Sequence, residues 1–189
     1  MIKRLIVILI IIIGTLGYVA YQNSILNNHL SSKSESESLL TKLPDTQFKT
    51  LQNEDLRLHD LYVESNLKLL VVHFWGTWCG PCEAELPDLL DFIKKFENRS
   101  DIKFLLVAVN DDLVKVRKHI AQLSPTKATW LLDNENLHRD LFGTTRVPET
   151  FVFSSDKVSV RKYVGPQEWK NSSYFQSFDE FLLLSHRKM

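Results

Sequence analysis

Residues 67–82 read LKLLVVHFWGTWCGPC, and the stretch changes character in its middle. Up to Trp75 it is a nearly continuous apolar run, which predicts a strand covered on both faces. Gly76-Thr77-Trp78 interrupts it. From Cys79 to about Phe96 the apolar residues Leu86, Leu89, Leu90, Ile93 and Phe96 recur at helical spacing, with Pro87 as a kink. A buried strand running straight into a helix opens a β-α-β unit and points to an α/β fold.

The pattern repeats downstream. IKFLLVAVN (102–110) predicts a second buried strand, DDLVKVRKHIAQL (111–123) a helix begun by acidic residues, and ATWLL (128–132) a third strand. Alternation of this kind implies parallel pairing through crossover helices. A short helix over 135–142 leads to Pro148, and ETFVFSS and KVSVRKYVG then form strands around a turn at Ser155-Asp156-Lys157. The C-terminal stretch places Trp169, Tyr174, Phe178, Phe181 and Leu182 on one side of a helix.

Cys79 and Cys82 are the only cysteines in 189 residues. Two thiols cannot make the four-ligand set of a structural zinc site, so no metal is expected, and a pair this close closes too small a loop to staple a fold. Reversible redox chemistry remains. The strand-to-helix junction puts Cys79 at the first helical turn, where unpaired N–H groups and the helix dipole favour a thiolate. Cys82, one turn later, is within reach to resolve a mixed disulfide. Pro81 loses no hydrogen bond there, because the first turn has none to lose. Two inert core cysteines would need neither the helix start nor the Gly-Pro pair.

Charge excludes some partners. The chain carries 23 Lys+Arg against 23 Asp+Glu, so no net field marks it for nucleic acid. With 44% hydrophobic and 24% charged residues, positions 44–189 suit one folded domain. The N-terminus is different. After Lys3 and Arg4, residues 5–21 (LIVILIIIIGTLGYVAY) carry no charge, and seventeen residues at about 1.5 Å each reach roughly 25 Å, the short end of a bilayer span. Residues 1–21 are expected to be a membrane anchor, with a cleaved signal as the alternative. Lys3 and Arg4 hold the start in the cytoplasm and deliver the rest to the far side. Residues 22–43, with six serines and three asparagines, read as a flexible tether of roughly 25 Å r.m.s. span.

FWGTWCGPCEAELP resembles the FWATWCGPCxxExP of the thioredoxin superfamily, in its membrane-anchored TlpA/ResA/CcmG-like branch, and Val147-Pro148-Glu149-Thr150-Phe151 is similar to that branch's VPxTF element. The resemblance covers roughly residues 44–184. It implies a thioredoxin fold, a central mixed sheet flanked by helices, with the branch's extra helix and strand over 111–132. It implies a thiol-disulfide oxidoreductase without cofactor that acts through Cys79 and Cys82. Pro148 would be a cis proline facing the sulfurs, and the Val147 backbone would pair with an incoming client strand. Glu85 would sit near the pair, raising the thiol pKa values or relaying a proton to the resolving sulfur, against a solvated helix glutamate. Glu149 would be a substrate-side charge, against an exposed strand residue. Trp75 and Trp78 would shield the disulfide and present a contact surface, against packing alone. A location on the periplasmic side of a bacterial inner membrane, a donor of the CcdA or DsbD thiol-transporter kind and an apocytochrome c client are implied as well.

One position departs. Six residues before Cys79, where many thioredoxins carry a buried aspartate and this branch often has asparagine, stands His73. A neutral imidazole there is a proton acceptor for Cys82 or a satisfied core residue. A peroxidase of the peroxiredoxin kind shares the fold, but its P-x-x-x-T/S-x-x-C signature would need Pro at 72 and Thr or Ser at 76, where Val72 and Gly76 stand. A non-catalytic tethered binding domain is a further alternative, which the presence of both cysteines opposes. An oxidase that installs disulfides is the third, and the surroundings of the sulfurs must decide it. No Lys, Arg or His lies between Gly76 and Pro87, and Glu83 and Glu85 follow closely, which points to a reductant.

Overall fold

The computed structural model describes residues 14, 15, 17, 18, 42–64 and 66–184. The chain divides into two units, Met1–Leu39 and Leu40–Met189. Of the first, Gly14, Thr15, Gly17 and Tyr18 are helical, and the rest of the expected anchor lies outside the described residues, as does the tether up to residue 41. Among the described residues no helix is long and apolar enough to cross a membrane. Lys42 and Leu43, the last two residues of the expected tether, are held by the folded unit: Lys42 bridges to Val158, and Leu43 donates its N–H to the Lys157 carbonyl and is buried in the core.

The second unit is a seven-stranded sheet between two helical layers. Its elements are β1 (Gln47–Thr50), β2 (Asp55–Arg57), α1 (Leu58–Glu64), β3 (Leu69–Trp75), α2 (Gly80–Lys94), β4 (Ile102–Val109), α3 (Leu113–Ile120), β5 (Thr129–Asp133), α4 (Leu137–Leu141), β6 (Glu149–Ser154), β7 (Ser159–Val164) and α5 (Ser172–Leu184). The strand order is β2-β1-β5-β4-β3-β6-β7. β3, β4 and β5 run parallel, as alternation with crossover helices requires, and the remaining pairs are antiparallel. This is the mixed thioredoxin-like sheet, and the helix and strand of residues 111–132 appear in it as α3 and β5.

The apolar run of β3 now has its explanation. All seven of its residues are buried, and they divide by alternation: Leu69, Val71 and Trp75 enter the core under α2, α3 and α5, while Leu70, Val72 and Phe74 enter the one holding Leu58, Leu61 and Phe142. β6 divides the same way, Val152 to the first core and Phe151 and Phe153 to the second. His73 and Thr150, paired in the β3–β6 register, therefore share the α2 side. Phe92 centres that core, its ring 5.0 Å from Phe178, which docks α5 on α2, and 5.3 Å from Trp169, which lies in the turn before α5 rather than on the helix expected to carry it.

Residues 44–64, where the sequence shows no sustained period, form β1, β2 and α1. β1 has a single fully buried side chain, Phe48, and β2 is three residues long, so neither carries a period long enough to read. Long-range contacts hold them: the His138 ring stacks on Phe48 at 3.9 Å, with Nε2 2.8 Å from the Gln47 carbonyl and Nδ1 3.1 Å from Asp133.

Candidate active site

Gly76-Thr77-Trp78 turns the chain from β3 into α2, and side chains fix its path. Asp111, just past β4, accepts the Thr77 N–H at 2.6 Å and its hydroxyl at 2.9 Å. The Trp78 indole N–H donates to the Val109 carbonyl at 2.9 Å, laying the ring across Gly76, where a Cβ would come 2.6 Å from Nε1. Glycine is needed at 76 for that close approach.

Cys79 is the N-cap of α2, with extended backbone, and Gly80 and Pro81 fill the first helical positions. Its Sγ accepts the Cys82 N–H at 3.3 Å, one of the donors that a helix start leaves unpaired. The two cysteines are joined as a disulfide. Cys79 keeps 6% exposure and Cys82 none, so an incoming group meets Cys79. The Val147 carbonyl lies 3.7 Å from Cys79 Sγ, and the Val147–Pro148 bond is cis. Two chain segments distant in sequence thus frame one sulfur.

Glu85 is not a solvated helix residue; it is buried on α2 one turn after Cys82. Its Oε2 accepts the Gln167 N–H at 2.7 Å and the Trp169 indole N–H at 3.2 Å, and its Oε1 lies 3.6 Å from Nε2 of His73. Burial pushes its carboxyl up to about 7, the two hydrogen bonds opposing. His73 is buried with Nδ1 2.9 Å from the Thr150 hydroxyl, and burial lowers its pKa to about 3. An open groove of ≈ 670 Å³ lies beside Pro81, Ala84 and Glu85, lined also by Pro166, Gln167 and Glu168.

Two expectations need correction. Trp75 presents no contact surface: it is fully buried, in the same core cluster as both cysteines, with its ring 5.4 Å from Trp130 and 5.6 Å from His119. Even strand residues and odd ones point oppositely, and Trp75 points inward beneath α2 and α3. Trp78, by contrast, is 57% exposed. Glu149 is neither exposed nor beside the cysteines. It is buried at the start of β6, where alternation turns it to the face of Phe151, away from Thr150 and α2, and it pairs with the nearly buried Lys162 at 3.3 Å.

Sequence reasoning passed over Asp111, Thr150, Gln167 and Trp169. Asp111 was readable only as one of two acidic helix-start residues, and Asp112 turns out to be the N-cap of α3 while Asp111 clamps the loop. Thr150 lay inside the quoted VPETF, but its partner is set by strand register. A basic group also reaches the site from α3, His119, whose Nδ1 lies 3.7 Å from Glu83.

Comparison with known proteins agrees with this geometry. The AhpC/TSA family matches residues 39–161. Thiol-disulfide oxidoreductase ResA of Bacillus cereus is 23% identical over 162 residues, covering 86% of this chain and 87% of the relative. ResA of Bacillus subtilis is 25% identical over 158 residues, covering 84% and 82%. Among solved structures, a thiol:disulfide interchange protein of the thioredoxin family from Chlorobium tepidum superposes with a TM-score of 0.58 at 22% identity, over 78% of this chain and 97% of that one, a likeness of fold.

Proposed function

The chain belongs to the AhpC/TSA family and is a thiol-disulfide oxidoreductase of the ResA/DsbE type, and from that premise we propose that it works outside the cytoplasm as a reductant of protein disulfides. Cys79 is the attacking sulfur and Cys82 the resolving one. The observation that carries the direction is the buried Glu85 carboxyl one turn after Cys82. A carboxyl there disfavours thiolate at the pair, which favours the disulfide and makes the dithiol the stronger reductant. The Gly80-Pro81 spacer is that of thioredoxin, at about −270 mV. His119 stands against Glu83, so its ring offers that charge a partner.

The client lies as an added strand along Val147 and Pro148, against Trp78, with its disulfide at Cys79. Lys3, Arg4 and the apolar residues 5–21 support a single-pass anchor in a bacterial inner membrane, with the head outside. A reductant in an oxidising compartment needs electrons, and the likeness to ResA supports a CcdA- or DsbD-type thiol transporter as donor and apocytochrome c cysteines as client. Trapping tests the proposal: Cys82→Ser is expected to accumulate client proteins as mixed disulfides on Cys79, and apocytochrome c among them supports the client assignment. Capture of none from intact cells contradicts it. Peroxide turnover by the wild type, with no insulin-disulfide reduction, would move the protein to the peroxidase class.

A further inference from the structure

Glu85 and His73 meet inside the domain with their polar atoms unequally satisfied. Oε2 of Glu85 takes two donated hydrogen bonds, from Gln167 and Trp169. Oε1 has no hydrogen-bond partner among the described residues, and neither has Nε2 of His73, which faces it at 3.6 Å. The side chains are 4% and 1% exposed. At that separation no hydrogen bond is formed, and two bare acceptors facing each other repel. Orphaned buried polar atoms are costly, and one proton between these two satisfies both once they close by roughly 0.6–0.9 Å to hydrogen-bond distance.

Taking Glu85 as the proton relay that the resemblance implies, we propose that His73 is its partner and that the two hold one proton in store for Cys82: in the disulfide form a single proton sits on Oε1 of Glu85 and is donated to Nε2 of His73. Nδ1–H of the ring then donates to the Thr150 hydroxyl, which fixes the tautomer. Oε2 cannot take the proton without losing one of its two donors, so Oε1 is the acid oxygen. Cys82 precedes Glu85 by three residues on one helix face, where side chains are neighbours. His73 acts through Glu85 and is a positioning residue.

The store deepens the dithiol-exchange reading and rests on it. The Cys79 thiolate attacks a client disulfide; the Cys79–client bond forms and one client thiolate leaves, taking a proton from water. Cys82 then gives its thiol proton to Oε1 and attacks Cys79 Sγ. The Cys79–Cys82 bond forms, the Cys79–client bond breaks and the second client thiolate leaves. Two electrons pass to the client, and the proton stays on the couple in the disulfide form until the pair is reduced again, when it returns to the Cys82 thiolate.

The surrounding ionisable groups leave this proton to the couple. On α2, Asp88 is paired with Lys170 at 2.6 Å. From β7 comes Tyr163, pushed up by burial, and from α5 Tyr174, whose hydroxyl donates to Gln167 at 2.7 Å. Glu168, on the loop before α5, is exposed, and β4 places Leu106 beside His73. Burial acts in the same sense, disfavouring both the carboxylate and the imidazolium.

The test is nitrogen-15 NMR of the histidine-labelled full chain in its oxidised form at about pH 6, with an oxidised-minus-reduced infrared difference spectrum. The expected result is a neutral His73 ring, protonated at Nδ1 and accepting at Nε2, together with a carboxylic-acid carbonyl band that Glu85→Gln removes. A doubly protonated His73, or an ionised Glu85 in the oxidised protein, overturns the store. His73→Asn identifies the ring, and if that variant does not fold, contacts to Thr150 identify it in the wild type. In single turnovers Glu85→Gln and His73→Asn should slow client release relative to client capture by about tenfold or more, and flatten the pH dependence of release. A wild type that exchanges disulfides but lacks the acid band defeats the store alone. A wild type that exchanges none defeats the redox reading and the store with it.

Discussion

Sγ of Cys79 accepts the backbone N–H of Cys82 at 3.3 Å, while the side chain of Cys82 is sealed from solvent. The helix start therefore serves one sulfur and the interior holds the other. Alkylation of the reduced single variants should show it: Cys79 in Cys82→Ser reacts at least about tenfold faster near neutral pH than Cys82 in Cys79→Ser, because the thiolate is the nucleophile. Faster labelling of Cys82 would reverse the assignment.

The pair beneath the sulfurs makes a prediction with two signs. Glu85, raised to about 7 from 4.5, keeps in the folded chain a proton that the unfolded chain loses, so alone it makes stability fall as pH rises between about 4.5 and 7. His73, lowered to about 3 from 6.5, refuses a proton that the unfolded chain takes, so alone it makes stability rise between about 3 and 6.5. From about 4.5 to 6.5 the two cancel. Relative to wild type, Glu85→Gln should gain stability with rising pH in that window and His73→Asn should lose it, each by up to about 1.4 kcal/mol per pH unit. Urea denaturation of the oxidised proteins at the two ends of the window measures the slopes, and slopes of the same sign would contradict the pairing.

Glu149 matters to the fold and not to the sulfurs. Its ion pair with Lys162 is nearly dry, the side chains being 2% and 7% exposed, and the Lys162 ammonium also stands 4.9 Å from the Phe151 ring centroid. Glu149→Ala leaves a buried cation unpaired and should cost about 3–5 kcal/mol in urea unfolding. Adding Lys162→Met should recover much of that loss, and Cys79 alkylation should stay at the wild-type rate in the double variant. Slowed alkylation would return Glu149 to the active site.

At the junction, Gly76→Ala should expel the Trp78 indole, since the new Cβ would lie 2.6 Å from Nε1. The bond to the Val109 carbonyl goes with it, about 0.5–1.5 kcal/mol. Of the four indole N–H resonances the chain can show, the one from Trp78 should move. An unmoved resonance would mean that the loop yields instead.

What the sequence revealed follows from the range of the forces involved. The strand run of 67–75, the helix after Cys79 and the crossover pattern are local periodicities, and each appeared within a residue or three of its expected ends. β1 and β2 did not, because a strand with one buried side chain is held by partners far along the chain, Leu131 and Leu132 on β5. Around the site, Cys79, Cys82 and the Val147–Pro148 pair were legible through residue type and resemblance. The positions of Trp75 and Glu149 were not: a face of a sheet is set by alternation from a register that only the folded strands define. His73 was legible as an anomaly, and its partners Glu85 and Thr150 come from two other elements.

The direction of electron flow is the central claim, and the reduction potential of the Cys79–Cys82 pair tests it most directly. Equilibrated with reduced and oxidised glutathione and scored by thiol alkylation, the wild type should behave as a reductant near thioredoxin, at about −270 mV. Glu85→Gln, which lacks the carboxyl that disfavours thiolate, should move to a less negative value. A wild-type potential near about −120 mV, that of a strong oxidant, would contradict the account.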